Sequence, residues 1–199
     1  MKSRVLSLIA CGTFALATAA CSDKTPDTAA SDAASDMASA DAADTMASST
    51  MASPNTAEAQ GGAATFLTDA MKGDNSEVKL GKLAASMGSA AGVKAFGSML
   101  ATDHGKAAKD VAALAGKMGV PTTTATKAEA DAEYAKLQGL SGAAFDTEFA
   151  RYMVEDHTKD IAAFEKEAAS SDPAEVTALA KATLPTLKKH LAAAQALAK

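Results

Sequence analysis

The chain has 199 residues, a formal net charge of −5, two Cys, no Trp and only 4% aromatic residues. That length suits one compact domain with flanking segments. The 19 basic residues form no patch interleaved with aromatics, which argues against nucleic-acid binding.

Residues 1–20 begin with Lys2 and Arg4 and continue as an uncharged apolar run from Val5 to Ala20. A basic start, an apolar middle and small residues at the end predict a signal peptide. The run is shorter than a bilayer-spanning helix needs. It ends Leu16-Ala17-Thr18-Ala19-Ala20-Cys21-Ser22, which resembles a lipobox, with Thr18 where Leu is more usual. Leu8-Ile9-Ala10-Cys11 fits the local pattern too, but only six apolar residues would precede its cut. Cys21 is therefore the expected lipidation site. After cleavage it is the only Cys in the chain, so no intramolecular disulfide can form in an oxidising envelope. Acylation would remove an exposed thiol and anchor the protein, since each buried methylene contributes about 0.8 kcal/mol. Ser22 after the Cys points to the outer membrane. Cleavage after Ala20 without acylation would leave a soluble periplasmic protein instead.

Residues 21–60 read as a disordered tether. From Ser22 to Gln60 there is no Leu, Ile, Val, Phe, Tyr or Trp, so little apolar burial offsets the entropy of ordering. Seven acids against Lys24 alone give this stretch a charge of −6, which anionic headgroups would repel. Met-Ala-Ser recurs at Met37, Met46 and Met51; exposed Met suits soft Cu(I), but the repeats are read as a low-complexity spacer.

Residues 61–199 carry 16 basic and 17 acidic groups, and their Ala-rich pattern predicts helices throughout. The first is expected from about Ala63 to Met87, with a break near Gly73 because Asp74-Asn75-Ser76-Glu77 looks like a capping box. The second follows Ser89 and ends at Met118, where Gly119 and Pro121 supply a stop. A short helix covers Lys127 to Gln138, and a long one runs from about Gly142 to Ala169. Asp172-Pro173-Ala174-Glu175 then opens the last as N-cap, first-position Pro and acidic third residue. Pro185 lies inside that helix and removes one backbone bond. Each long helix carries an apolar stripe: Val93, Leu100 and Leu114 on one, Phe149, Met153 and Ile161 on the next, Val176, Ala180 and Leu187 on the last. Stripes on four long helices with short connections predict an all-α, antiparallel four-helix bundle.

All three His fall on those stripes, one per helix. His104 repeats with Gly97 and Val111, His157 lies between Met153 and Ile161, and His190 lies between Leu187 and Leu197. Three neutral imidazoles suit Zn, Cu, Fe or Ni, and Glu77, Asp103 or Asp156 would add an oxygen ligand. More often such a His stands alone in the core, here hydrogen-bonded to Asp103 or Asp156, because an unsatisfied buried ring costs about 1–3 kcal/mol. Di-iron bundles use Glu-x-x-His on two helices. Here the residues three before each His are Ala101, Val154 and Leu187, so that motif is absent. No catalytic triad, phosphate loop or Cys nucleophile stands out, and no enzyme activity is expected.

The segments Glu77-Val78, Leu80-Gly81-Lys82-Leu83-Ala84, Met99 with Asp103-His104, Gly142 with Phe145-Asp146, Asp156-His157, and Leu184-Pro185-x-Leu187-x-x-His190-Leu191 occur in that order. The set resembles the domain-of-unknown-function family 4142, bacterial outer-membrane or periplasmic proteins of ferritin-like architecture. The resemblance spans nearly all of Gly61 to Lys199. It implies a ferritin-like four-helix bundle that includes the three His, and no established activity. Two functional expectations follow. One is a non-enzymatic envelope lipoprotein with no required cofactor, bound to the outer membrane by its lipid, in a binding or stress-related role. The other is a metal-binding or redox bundle using His104, His157 and His190.

Overall fold

The computed structural model describes the backbone from Pro54 to Lys199 and side chains from Gly61. The expected signal peptide, Cys21 and the Met-Ala-Ser repeats lie outside the described residues. Five α-helices and no strands make up the described part: α1 (Pro54–Met87), α2 (Ala91–Lys117), α3 (Ala128–Gln138), α4 (Gly142–Ala168) and α5 (Ala174–Leu197). None is long and apolar enough to cross a membrane. The main packing partners are α1 with α2 and α4 with α5; α2 also meets α5, and α3 lies against α1 and α4.

Two expectations for α1 are corrected. The helix begins at Pro54, within the stretch read as tether. Pro is well suited to a first helical position, and Ala, Glu and Gln follow it. Nor does α1 break near Gly73: it runs unbroken through Asp74-Asn75-Ser76-Glu77. These four residues mimic a capping box but serve tertiary contacts. The Asn75 amide donates to the carbonyls of Thr123 and Ala125, each at 3.1 Å. The Ser76 hydroxyl donates to Lys72 O and accepts the Lys127 N–H at 2.9 Å. The two Asn75 bonds and the Lys127 bond fasten the connection between α2 and α3 to the side of α1. Asp74 and Glu77 turn inward.

The other boundaries lie close to the spacing-based expectations. After α2, Gly119 adopts φ 71°, a left-handed conformation that costs Gly little. The Val120 N–H reaches Ala115 O at 2.8 Å and the Gly119 N–H reaches Gly116 O at 3.3 Å, the paired bonds of a Schellman stop. The start of α2 has no local side-chain cap. Asp146 of α4 supplies one from outside, accepting the Ser89 and Ala90 N–H groups at 2.8 and 2.7 Å. The N-cap expected at Asp172 is not made: α5 starts behind Pro173 without a side-chain cap bond. The Pro173 carbonyl instead accepts from Val176 and Thr177. α5 continues through Pro185.

The buried apolar side chains form two groups. One gathers Leu80, Phe96, Leu100, Phe145, Phe149 and Met153 with their neighbours. The other gathers Leu67, Met71, Val111, Ala115 and Val176 with theirs. Along α1 the groups are separated by Asp74 to Glu77, along α2 by His104, along α4 by Asp156 and His157. A polar layer thus crosses the interior between two apolar halves.

The register of α1 on α2 is set where Gly81 meets Gly97. A Cβ on Gly97 would lie 2.6 Å from Gly81 O and 2.7 Å from Ala85 N; one on Gly81 would lie 2.6 Å from Gly97 O. Gly97 is buried in this contact. We expect Gly97→Ala to destabilise the domain by roughly 1–3 kcal/mol through overpacking, although Ala is the better helix former. Gly116 is exposed with nothing within 4 Å of its Cβ position, so Gly116→Ala should stabilise by up to about 1 kcal/mol. Urea denaturation of the two variants checks this; equal effects would refute the close-contact account.

Candidate metal centre

His104 from α2, His157 from α4 and His190 from α5 meet in the polar layer. His157 and His190 have no exposed surface and His104 has 4%. Their ring centroids are 5.2 to 5.8 Å apart. One nitrogen from each ring lies within 4.8 Å of the others.

The remaining ring nitrogens are anchored outward. His104 Nδ1 pairs with Asp74 Oδ1 at 2.8 Å, His157 Nδ1 with Met153 O at 3.0 Å, and His190 Nε2 with Asp103 Oδ2 at 2.9 Å. Each acceptor holds a hydrogen on the nitrogen it faces. The bare lone pairs are then those of His104 Nε2, His157 Nε2 and His190 Nδ1, and these three buried nitrogens have no hydrogen-bond partner among the described residues. Three acceptors facing one another in a dry interior are unfavourable, at about 1–3 kcal/mol for each unsatisfied group. A cation that accepts all three would relieve them together.

Protonation does not offer the same relief. Burial, reinforced by the neighbouring His104 and His190, pulls the His157 pKa from 6.5 down to about 3. Burial also lowers His190, against its hydrogen bond to Asp103, which raises it. Both rings are therefore neutral at pH 7, the form that binds a metal. Phe96 stands edge-on to His190 at 6.3 Å and closes the apolar side of the cluster.

Each residue expected at the site now has a position. Asp103 accepts from the outer nitrogen of His190, across from α2 to α5. Asp156 is buried but makes no hydrogen bond to the adjacent His157; its carboxylate groups with Glu77 and His157, one ligand atom of each lying within 4.8 Å of the others. Glu77 is fully buried, and neither of its oxygens has a donor among the described residues. Oε1 is 3.4 Å from His157 Nδ1, whose hydrogen is directed to Met153 O. Asp74 was missed, because it reads locally as a cap. Its signal is a symmetry of spacing: Asp74 is seven residues before Gly81, and His104 is seven after Gly97. Tyr152 was also missed. Its hydroxyl is buried without a partner, and burial, then the charges of Asp156 and Glu77, raise its pKa.

A cavity of about 640 Å³ leads from the surface to this layer. Its wall includes His104, Asp74, Asp156, Tyr152 and the Lys127–Asp160 ion pair, which is 2.8 Å long.

Burial, then the adjacent Asp156, raises the Glu77 pKa well above 4.5. A folded-state pKa above the unfolded one gives stability that is complete below pH 4.5 and lost as pH rises through the folded value. In chelator-treated protein, Glu77→Gln should therefore be more stable than wild type at pH 8, by about 1–3 kcal/mol. That gap should close as pH falls toward 4.5. Urea denaturation at a series of pH values reads the difference, and a constant gap would contradict it.

A crystal structure of a DUF305 fragment from Deinococcus radiodurans resembles this chain with a TM-score of 0.61 at 16% identity. The similarity covers 69% of this chain and 95% of that one, and it shows a shared helical fold. No curated protein matches the sequence. The profile of the domain of unknown function DUF4142 matches residues 46–197. With three quarters of its length accounted for by that profile, the chain belongs to the DUF4142 family.

Proposed function

We propose that this domain binds one transition-metal ion through His104 Nε2, His157 Nε2 and His190 Nδ1. The observation that carries this is the three inward nitrogens, buried and unpartnered, on rings whose other nitrogens are all held. Metal-binding His characteristically direct the second nitrogen to a carboxylate or backbone carbonyl, and all three rings do so here.

Neutral imidazoles favour Zn2+ or Cu2+ over Mg2+ or Ca2+. At a metal–nitrogen distance of about 2.0–2.1 Å, tetrahedral ligands sit about 3.3 Å apart, so the three nitrogens, within 4.8 Å of one another, would draw together on binding. Three protein ligands leave a fourth position open, as in catalytic rather than purely structural zinc sites. The cavity alongside His104 would bring water or a small ligand to it. Glu-x-x-His is lacking, so the centre differs from the di-iron carboxylate type.

In this reading the domain is an antiparallel four-helix bundle with α3 as an accessory. It is exported behind a signal peptide and held at the outer membrane by lipid on Cys21. The acidic stretch after Cys21 would keep the metal-binding part away from the bilayer. A storage, sensing or stress-related role is compatible with a buried ion, and catalysis would need the open position.

Protein stripped with chelator should take up one equivalent of Zn2+ or Cu2+, measured by elemental analysis, with a rise in Tm. At 100 times Kd, bound metal stabilises by about 2.7 kcal/mol. His104→Ala, His157→Ala and His190→Ala should each lose the stoichiometric uptake and the rise in Tm. Asp103→Asn should retain stoichiometry but bind about 10–100-fold more weakly. No uptake above background in folded wild-type protein would end the proposal. Separately, mass spectrometry of the mature N-terminus should find an acylated Cys21; an unmodified terminus there would exclude the anchor.

A further inference from the structure

The polar layer holds more acid than the three imidazoles use. Asp74, Glu77 and Asp156 are buried and Asp160 is mostly so, its side chain 16% exposed. Asp74 is occupied by His104, and Asp160 by Lys127. Glu77 and Asp156 share no such partner. Both Glu77 oxygens are orphaned, although the residue has no exposed surface. The Tyr152 hydroxyl, on a residue only 8% exposed, is orphaned as well.

Glu77 cannot join the ion held by the three His. It approaches His157 at Nδ1, 3.4 Å away, whereas the inward lone pair is on Nε2. The two nitrogens point to different sides of the ring, so the imidazole itself stands between Glu77 and that ion. The geometry points to a second cation position beside the first, made by the carboxylates of Glu77 and Asp156. It rests on the three-His reading for its neighbour.

Oxygen donors select Mn2+ or Mg2+ over the soft and borderline ions that favour imidazole and thiolate. Such ions keep several waters, which the cavity can supply, since Asp156 and Tyr152 line it. His157 Nδ1 keeps its bond to Met153 O and takes no part in coordination. The centre would be a pair of unlike metals separated by one imidazole.

The chain, loaded with one equivalent of Cu2+, should be titrated with Mn2+ and followed by electron paramagnetic resonance. One Mn2+ should bind per chain and attenuate the Cu2+ signal, because the two ions are neighbours. Asp156→Asn and Glu77→Gln should each weaken Mn2+ binding at least 10-fold, with the Cu2+ equivalent measured in the same samples as proof of a folded site. Failure to bind Mn2+, binding that leaves the Cu2+ signal unchanged, or variants that bind like wild type would overturn the second position and leave the three-His site standing. Failure of the first Cu2+ equivalent would remove both.

Discussion

A layer of ionisable groups shut between two apolar halves is the constraint on which the rest of this structure depends. His104, His157 and His190, with Asp74, Glu77 and Asp156, are buried where apolar packing would have served stability better. Each buried polar group needs a partner or is costly. The layer meets that requirement selectively. Every outward ring nitrogen is bonded, every inward one is bare, and both oxygens of Glu77 are bare. Such a distribution is poor for a domain core and well suited to a cation site. The two apolar groups on either side, one around Phe145 and Phe149 and one around Leu67 and Met71, hold the helices firmly enough to keep the rings where they are.

The positions of the anchors explain how three helices converge on one point. The close contact of Gly81 with Gly97 sets how far α1 can slide along α2. Seven residues are about two turns of helix, or roughly 10 Å of rise, so Asp74 and His104 arrive at the same height on facing surfaces. Asp103, one residue earlier on α2, lies about 100° round the helix and faces α5 instead, where it holds His190. One dipeptide thus contributes a ring to the site and an anchor for a ring on another helix. Asp156-His157 on α4 has a related division of labour, with His157 directed at the other rings and Asp156 at Glu77.

The capping-box expectation for Asp74 to Glu77 failed for a physical reason. A short polar side chain followed by Glu satisfies free backbone N–H groups at a helix start, but the same residues inside a helix can satisfy groups elsewhere. Asn75 and Ser76 tie down the connection around Thr123 to Lys127, while Asp74 and Glu77 face the layer. No local rule distinguishes these uses, because the distinction lies in what packs against that side of α1. The absent cap at α2 is the converse case: Asp146 supplies it from a residue more than fifty positions away.

Much was determined by the sequence by itself. Apolar spacing and stop signals located α2, α3, α4 and α5 to within a residue or two, and assigned each His to a buried stripe on a separate helix. Periodicity is a local property, repeated every 3.6 residues, and can be read without knowing the partner. Whether the three rings stand at one height could not be read in that way. It depends on axial register, decided by the backbone contact at Gly81 and Gly97 and by the packing of α5 against α4 and α2. The roles of Asp74, Asp103 and Glu77 likewise exist only once separate helices are brought together, because a carboxylate becomes an anchor or an orphan according to what the fold places within 3 Å of it.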